Sequence, residues 1–398
     1  MKHPRSGWLA TSRFVRGSVT RVARKPDCYR HRRYVDSPKQ GAKTVLKRSN
    51  DQPAKRVAYS ELKRFICQVL VKAGVPKKIA QVEAEITADV DLAGVQSHGV
   101  QLVPKLVENI RAGVINPDPP LRVIVEQPAS ILYETQQAIG RYTSAIVMDA
   151  AVQRAEQFGV GLAAVRGVAH WGRGYSYARR AAKAGYIGIA YTNATVNFPA
   201  WGTRVPSLGN NPMAIGVPVG GDEPVVLDMA MTQAAIRKIV DAANTGDVVP
   251  VGWGVDEEGR ATKDPRAILD SQRFLPMGGH KGSALAFMIE LLTGALAGGL
   301  LCFEQGSQGR PDDFAGGSSK TFLAIRPFGP WLMSKTKDLK NHLKSATTAP
   351  EQGEVSWPGE HSRRFRLEYK KAGIPFRPPL VQLLEQLSSD FSVPLCWL

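Results

Sequence analysis

Cysteine is scarce: Cys28, Cys67, Cys302 and Cys396 are the only four in 398 residues, and no two form a C-x-x-C pair. This excludes a disulfide framework and the common zinc spacings, and implies free thiols in a reducing compartment such as the cytoplasm. The sequence also lacks a P-loop, an H-E-x-x-H helix and a G-x-S-x-G elbow. The phosphate-loop, zinc-peptidase and serine-hydrolase chemistries therefore lack their signatures. A near match to a dinucleotide fingerprint, Gly159-Val-Gly161-Leu-Ala-Ala164, has the wrong context. A helix is expected before it and a strand after it, the reverse of a Rossmann turn. No apolar stretch of a secretory leader opens the chain, so none is expected.

Uninterrupted apolar runs are rare too. The longest, Ser283–Phe303, has the length of a membrane span. Glu290 lies inside it and Gly298-Gly299 interrupts it. A charge in lipid is costly, so a buried core helix over Gly282–Leu296 is expected rather than a membrane segment.

Acidic residues are missing from one end only. The net charge is +17, but residues 1–56 hold 16 Lys/Arg against 3 Asp/Glu, and the rest holds 36 against 32. A near-neutral body thus follows a basic arm, residues 1–55. The arm fits a disordered tail or an Arg-rich, acid-poor organelle-import segment. A nucleic-acid arm fits by charge alone, but aromatic residues are not regularly interleaved with the bases.

What is present is a body of 43% apolar residues, enough for a real core. Residues 56–125 predict helices. Ser60 is expected to cap the first, whose Leu62, Phe65, Ile66, Val69 and Leu70 share a face. Ser97-His98-Gly99 interrupts this helical layer. Residues 126–300 alternate strand and helix. Strands are expected at Ile131–Glu134, Gly161–Val165 and Ile187–Tyr191, and helices at Ser144–Gln157 and Tyr175–Ala184. Ala214–Pro218 and Val225–Met229 read as a strand pair joined at Gly220-Gly221-Asp222. Residues 249–278 read as loop-rich, and 301–398 return to the helical style.

Chemistry concentrates at a few places. His98 and His170 each precede a glycine within two residues, and an imidazole can give or take a proton near neutral pH. Asp228 stands in an otherwise apolar strand, as a buried carboxylate that orients an imidazole or meets a cofactor. Lys281, at the start of the apolar helix after Gly278-Gly279-His280, suits an anionic group. Gly359-Glu360-His361 follows Pro358 in a second turn with exposed backbone. Each histidine can equally be a structural hydrogen-bonder.

Ser97-His98-Gly99-Val100, Gly185–Ile189, Trp201–Arg204, Leu208–Pro212, Leu227–Met231, Leu275–Ser283 and Trp357–Glu360 together resemble the malate/L-lactate dehydrogenase-type family of NAD(P)-dependent oxidoreductases, and within it the diketogulonate reductases. The resemblance runs from about Val57 to Leu387. It implies an α/β, non-Rossmann fold, in which N- and C-terminal segments build a helical domain around a central cofactor-binding domain with a sheet. It implies hydride transfer to a 2-oxo acid, with NADH preferred and NADPH possible, no metal, and a homodimer. Malate, lactate, ureidoglycolate or cyclic-imine substrates are the alternatives within the family. His98 matches the proton donor, and His170 and Asp228 match two further active-site positions. Val225, Val226, Leu227, Asp228, Met229, Ala230, Met231, His280, Lys281, Gly359, Glu360 and His361 match cofactor-contacting positions. Ser97 and Arg173 are assigned to the substrate. One departure stands out: the family carries an arginine for the substrate carboxylate where this chain has Leu102. On a helix Leu102 would share a face with His98. Arg173 or Lys105 is the candidate substitute, and a retired scaffold that only binds is the alternative.

Overall fold

The computed structural model describes residues 55–305, 317–348 and 354–398. Cys28 and all of the basic arm except Lys55 lie outside these residues. The chain opens with β1 (Lys55–Val57), α1 (Tyr59–Lys72) and α2 (Lys77–Leu92). Two short 3-10 turns, Gln96–His98 and Val100–Leu102, lead into α3 (Val103–Arg111). Next come β2 (Arg122–Gln127), β3 (Ser130–Ala138), α4 (Gly140–Phe158), β4 (Val160–Val168), α5 (Tyr175–Lys183) and β5 (Ile187–Thr192). Then follow β6 (Met213–Val217), β7 (Val225–Met229), α6 (Ile236–Thr245), α7 (Pro265–Ser271) and α8 (His280–Glu290), which runs on as one π-helical turn, Leu291–Ala295. The described chain ends with β8 (Ser318–Ile325), α9 (Trp331–Ser345), α10 (Glu360–Ala372), β9 (Ile374–Phe376) and α11 (Pro378–Phe391).

Two layers result. In the helical layer, Leu62, Phe65, Ile66, Val69 and Leu70 of α1 are fully buried. They share one core with α2, α3 and, from the other end of the sequence, Ile374, Phe376, Leu384 and Phe391. Each such side chain contributes about 1.5–3 kcal/mol on burial. β1 pairs antiparallel with β9 and ties the two segments together. The cap of α1 is not Ser60. The helix begins at Tyr59, after Ala58, without a side-chain cap.

The second layer is a seven-stranded sheet of order β2-β3-β4-β8-β5-β6-β7. Only β3 and β4 run parallel. Side chains alternate across it. Ala190 faces the core built with α4 and α5, and its neighbour Tyr191 faces the cluster of α6, α7 and α8. The near-fingerprint at Gly159 lies between α4 and β4, so helix does precede strand. Gly159 caps α4 in the left-handed region at φ +82°.

The apolar helix differs from expectation. Ser283, Ala286, Ile289, Glu290 and Thr293 are buried, but Leu285, Phe287, Met288, Leu291, Leu292 and Leu296 are exposed. One apolar side faces the protein and the other faces out. Buried Glu290 accepts from Asn193 Nδ2 (2.9 Å), Asn211 Nδ2 (2.8 Å) and the Cys302 N–H (2.9 Å). No helix among the described residues is long and apolar enough to cross a membrane.

Candidate active site

The two histidines come from different layers. His98 ends the first 3-10 turn of the helical layer, and His170 leaves the end of β4. Gly99, at ψ −137°, breaks the chain between the two turns. His98 and Leu102 therefore do not lie on one helix face, and Leu102 packs against the helical core. The His98 and His170 rings stack with centroids 6.1 Å apart. Ser97 Oγ lies 3.0 Å from His98 Nδ1, and the Gly172 N–H donates to His170 Nδ1 at 3.2 Å. With Nδ1 accepting, a neutral His170 carries its proton on Nε2.

Both imidazoles are held neutral. Burial pushes His98 down to about 4, against the pull of Asp228, and Arg173, Arg141 and Arg237 add to the fall. Burial, His98, Arg141 and Lys320 push His170 well below its ordinary value.

Asp228 and Arg173 close the site. Alternation along β7 puts Asp228 on the side of Val226, which packs with Tyr175 and Ala178 of α5 and Ala214 of β6. There the Arg173 Nε donates to Asp228 Oδ2, and the Arg173 guanidinium lies 4.5 Å from the Tyr175 ring centre. Arg173 Nη1 is buried without a hydrogen-bond partner. The other candidate for the missing arginine, Lys105, pairs with Glu108 (3.0 Å) on the surface.

β7 gathers the remaining candidates. The Val226 N–H donates to Pro358 O (3.1 Å), and a Cβ on Gly359 (φ +88°) would lie 3.1 Å from Val226 O. Just past the other end of β7, the Met277 N–H donates to Met231 O (2.9 Å), which sets the start of α8, with His280 and Lys281, beside Ala230 and Met231. Segments 225–231, 280–281 and 359–361 therefore meet along one strand. An open cavity of about 520 Å³ lies at Gly359, with Trp357, His361 and Arg364 in its wall. The Glu360 carboxylate, in contrast, is taken by Lys344 at 2.7 Å. A close backbone turn and a helix N-terminus fit an extended ligand with anionic groups, as a nicotinamide dinucleotide is. Among the described residues, no three His, Cys, Asp or Glu side chains gather as a metal-binding group.

Two residues escaped the sequence reading. Arg141, on α4, is 1% exposed beneath both histidines. Lys320, on β8, is likewise 1% exposed; its Nζ donates to Thr192 Oγ1 (3.3 Å) and to Ser318 Oγ, and lies 5.9 Å from the Trp171 ring centre. Burial alone brings its ammonium down to about 7.

The family model described as malate/L-lactate dehydrogenase matches residues 57–385. The 2,3-diketo-L-gulonate reductase of Escherichia coli strain K12 is 32% identical over 324 residues, 80% of this chain and 96% of that one. The solved malate dehydrogenase of Pyrococcus horikoshii OT3 superposes with a TM-score of 0.78 at 29% identity, covering 87% of this chain and 98% of that one. The delta1-piperideine-2-carboxylate reductase of Pseudomonas syringae pvar. tomato gives 0.75 at 28%, covering 84% and 99%. The two solved relatives share this chain's architecture, and all three are dehydrogenases or reductases. Over its whole body, this chain belongs to the malate/L-lactate dehydrogenase family of oxidoreductases.

Proposed function

We propose that the protein reduces a small 2-oxo acid of the diketogulonate kind to the 2-hydroxy acid, using NADH in preference to NADPH. The stacked pair of His98 and His170 beside the Asp228–Arg173 ion pair carries this reading. When bound along β7 and against residues 280–281 and 359–361, the reduced nicotinamide supplies the hydride.

The residues of the chain do the rest. As the C2 carbonyl carbon accepts the hydride, its oxygen becomes an alkoxide and takes a proton from His98 Nε2. Ser97 Oγ occupies Nδ1 and fixes the ring. Arg173, held by Asp228, offers Nη1 to the substrate carboxylate in place of the arginine that Leu102 replaces. His98 is neutral in the free protein, which suits a base for the reverse oxidation. An anionic substrate beside it raises its pKa and so loads the proton for reduction.

The exposed apolar side of α8 supports a homodimer, since contiguous apolar surface of this kind marks an interface. The second reading, a scaffold that binds but does not turn over, is favoured by one observation: half-buried Leu102 stands where the family carries its arginine and packs against the helical core.

The test is loss of NADH absorbance with 2,3-diketo-L-gulonate, oxaloacetate, pyruvate and a cyclic imino acid, using wild type and His98→Ala. Turnover with one of them, lost in the variant while NADH still binds, supports the reductase. NADH binding without turnover on any of them would support the scaffold reading.

A further inference from the structure

Arg141 occupies an unusual place. It is the second residue of α4, where a helix N-terminus disfavours a cation, and it is 1% exposed. A buried guanidinium is costly unless it is paired and bonded. Its partner is Glu83 of α2, which is fully buried: Nη1 lies 3.6 Å from Glu83 Oε2, while Glu83 Oε1 accepts the Tyr142 N–H at 2.7 Å. That anchors α4 to α2.

The other edge of the guanidinium faces the two histidine loops. Nη2 donates to the backbone carbonyl of His98 at 3.2 Å. A Cβ on Gly172 would lie 2.9 Å from Nε, so the turn after His170 rests directly on the same group. Gly140, one residue earlier, has its α-carbon pressed against the His170 carbonyl with no room for a Cβ. A second carboxylate of α2, Asp91, accepts the Val100 N–H at 2.8 Å and holds the far side of the His98 turn. The cluster therefore touches both loops, yet is almost wholly buried.

We propose that Arg141 is a positioning residue that locks the His98 loop of the helical layer to the His170 loop of the sheet layer and so sets the spacing of the two imidazoles. It touches neither substrate nor cofactor; it acts through the backbone of both histidine loops. The inference rests on the reductase reading above for its kinetic part only. A planar guanidinium can bond one backbone and pack flat against another, where an ammonium is a compact point donor. Displacing a catalytic group by about 1 Å can cost about 100-fold in rate.

The experiment compares wild type, Arg141→Lys and the double variant Glu83→Gln/Arg141→Met. The double variant removes the Glu83–Arg141 ion pair as a unit and leaves neither half of it as an unpaired charge, so it can fold. Four readouts are taken: melting temperature, NADH affinity, kcat and KM for the 2-oxo acid that turns over best, and the imidazole NMR signals of His98 and His170 with their titration. The double variant is expected to melt close to wild type and bind NADH within about 2-fold, yet lose about 100-fold in kcat. Its His170 titration should move up as the nearby cation is lost, with both imidazole signals broadened. Arg141→Lys should retain the charge and still lose at least about 10-fold in kcat. A folded double variant with kcat within about 3-fold of wild type and unchanged imidazole signals would overturn the proposal. If the wild type turns over no 2-oxo acid, the function fails but the imidazole signals still decide the role of Arg141.

Discussion

Replacing Lys320 with methionine should stabilise this protein near neutral pH. Lys320 lies on the central strand β8, 1% exposed, and no carboxylate among the described residues pairs with it. Burial brings its ammonium from 10.5 to about 7. At about 1.4 kcal/mol for each pH unit, keeping this group buried costs the fold about 4 kcal/mol at pH 7. Methionine fills a similar volume without charge. It forfeits the bonds to Thr192 Oγ1 and Ser318 Oγ, worth about 1 kcal/mol together, since both hydroxyls keep backbone acceptors. The net gain is about 3 kcal/mol at pH 7. Its sign with pH is fixed. Between about 7 and 10.5 the unfolded lysine holds a proton that the folded one has lost, so wild-type stability rises with pH across that window. The variant lacks this rise, so its advantage should be gone by pH 10.5, where the lost bonds leave it slightly the less stable of the two. Other groups titrating there, such as Tyr59, pushed up to about 12 by burial, cancel in the difference. Urea unfolding of both proteins at the two pH values measures it. A variant less stable than wild type at pH 7, or an advantage that stays constant with pH, would refute the reasoning.

Three further outcomes are expected. For oxidation of the 2-hydroxy acid, kcat/KM reports His98 in the free enzyme. It should stay flat from pH 8 down to about 5, then fall as pH drops through about 4 and the base is protonated. A break near 6.5 would show an unburied imidazole. Arg173→Met should raise KM about 10- to 100-fold, the worth of a charge-assisted bond to the carboxylate, with Arg173→Lys in between; equal KM values would remove Arg173 from substrate binding. Phe287→Glu, on the exposed side of α8 at 54% exposure, should convert a dimer to a monomer in sedimentation without loss of helix content. A wild-type monomer, or a variant dimer, would disprove the interface.

The amphipathic faces and turn residues were legible because they are local. The α1 stripe, α5 and the Gly220-Gly221 hairpin of β6 and β7 follow from spacing alone. The strands β1 and β9 were not, because three residues become a strand only by pairing with each other from opposite ends of the chain. The outer side of α8 was misread for a different reason. A helix apolar on every side has no stripe, so its sequence does not say which side is covered. His98, His170 and Asp228 drew attention as polar residues among glycines or apolar neighbours. Arg141 and Lys320 did not. What makes them unusual is burial, and their partners come from α2, β5 and the 3-10 turn, remote in sequence.

The position of β8 governs how this chain can be made. The strand sits between β4 and β5, bonded to both, though more than a hundred residues of sequence separate it from either. Until Ser318–Ile325 leaves the ribosome, β4 and β5 each present an open edge of unpaired amides. The sheet therefore cannot close progressively during synthesis. It must wait for a late segment to slot into its middle, a non-local step that slows folding and exposes sticky edges meanwhile. A chain released before that strand would keep the Arg173 loop and β7 but have no continuous sheet, and aggregation would be its default fate.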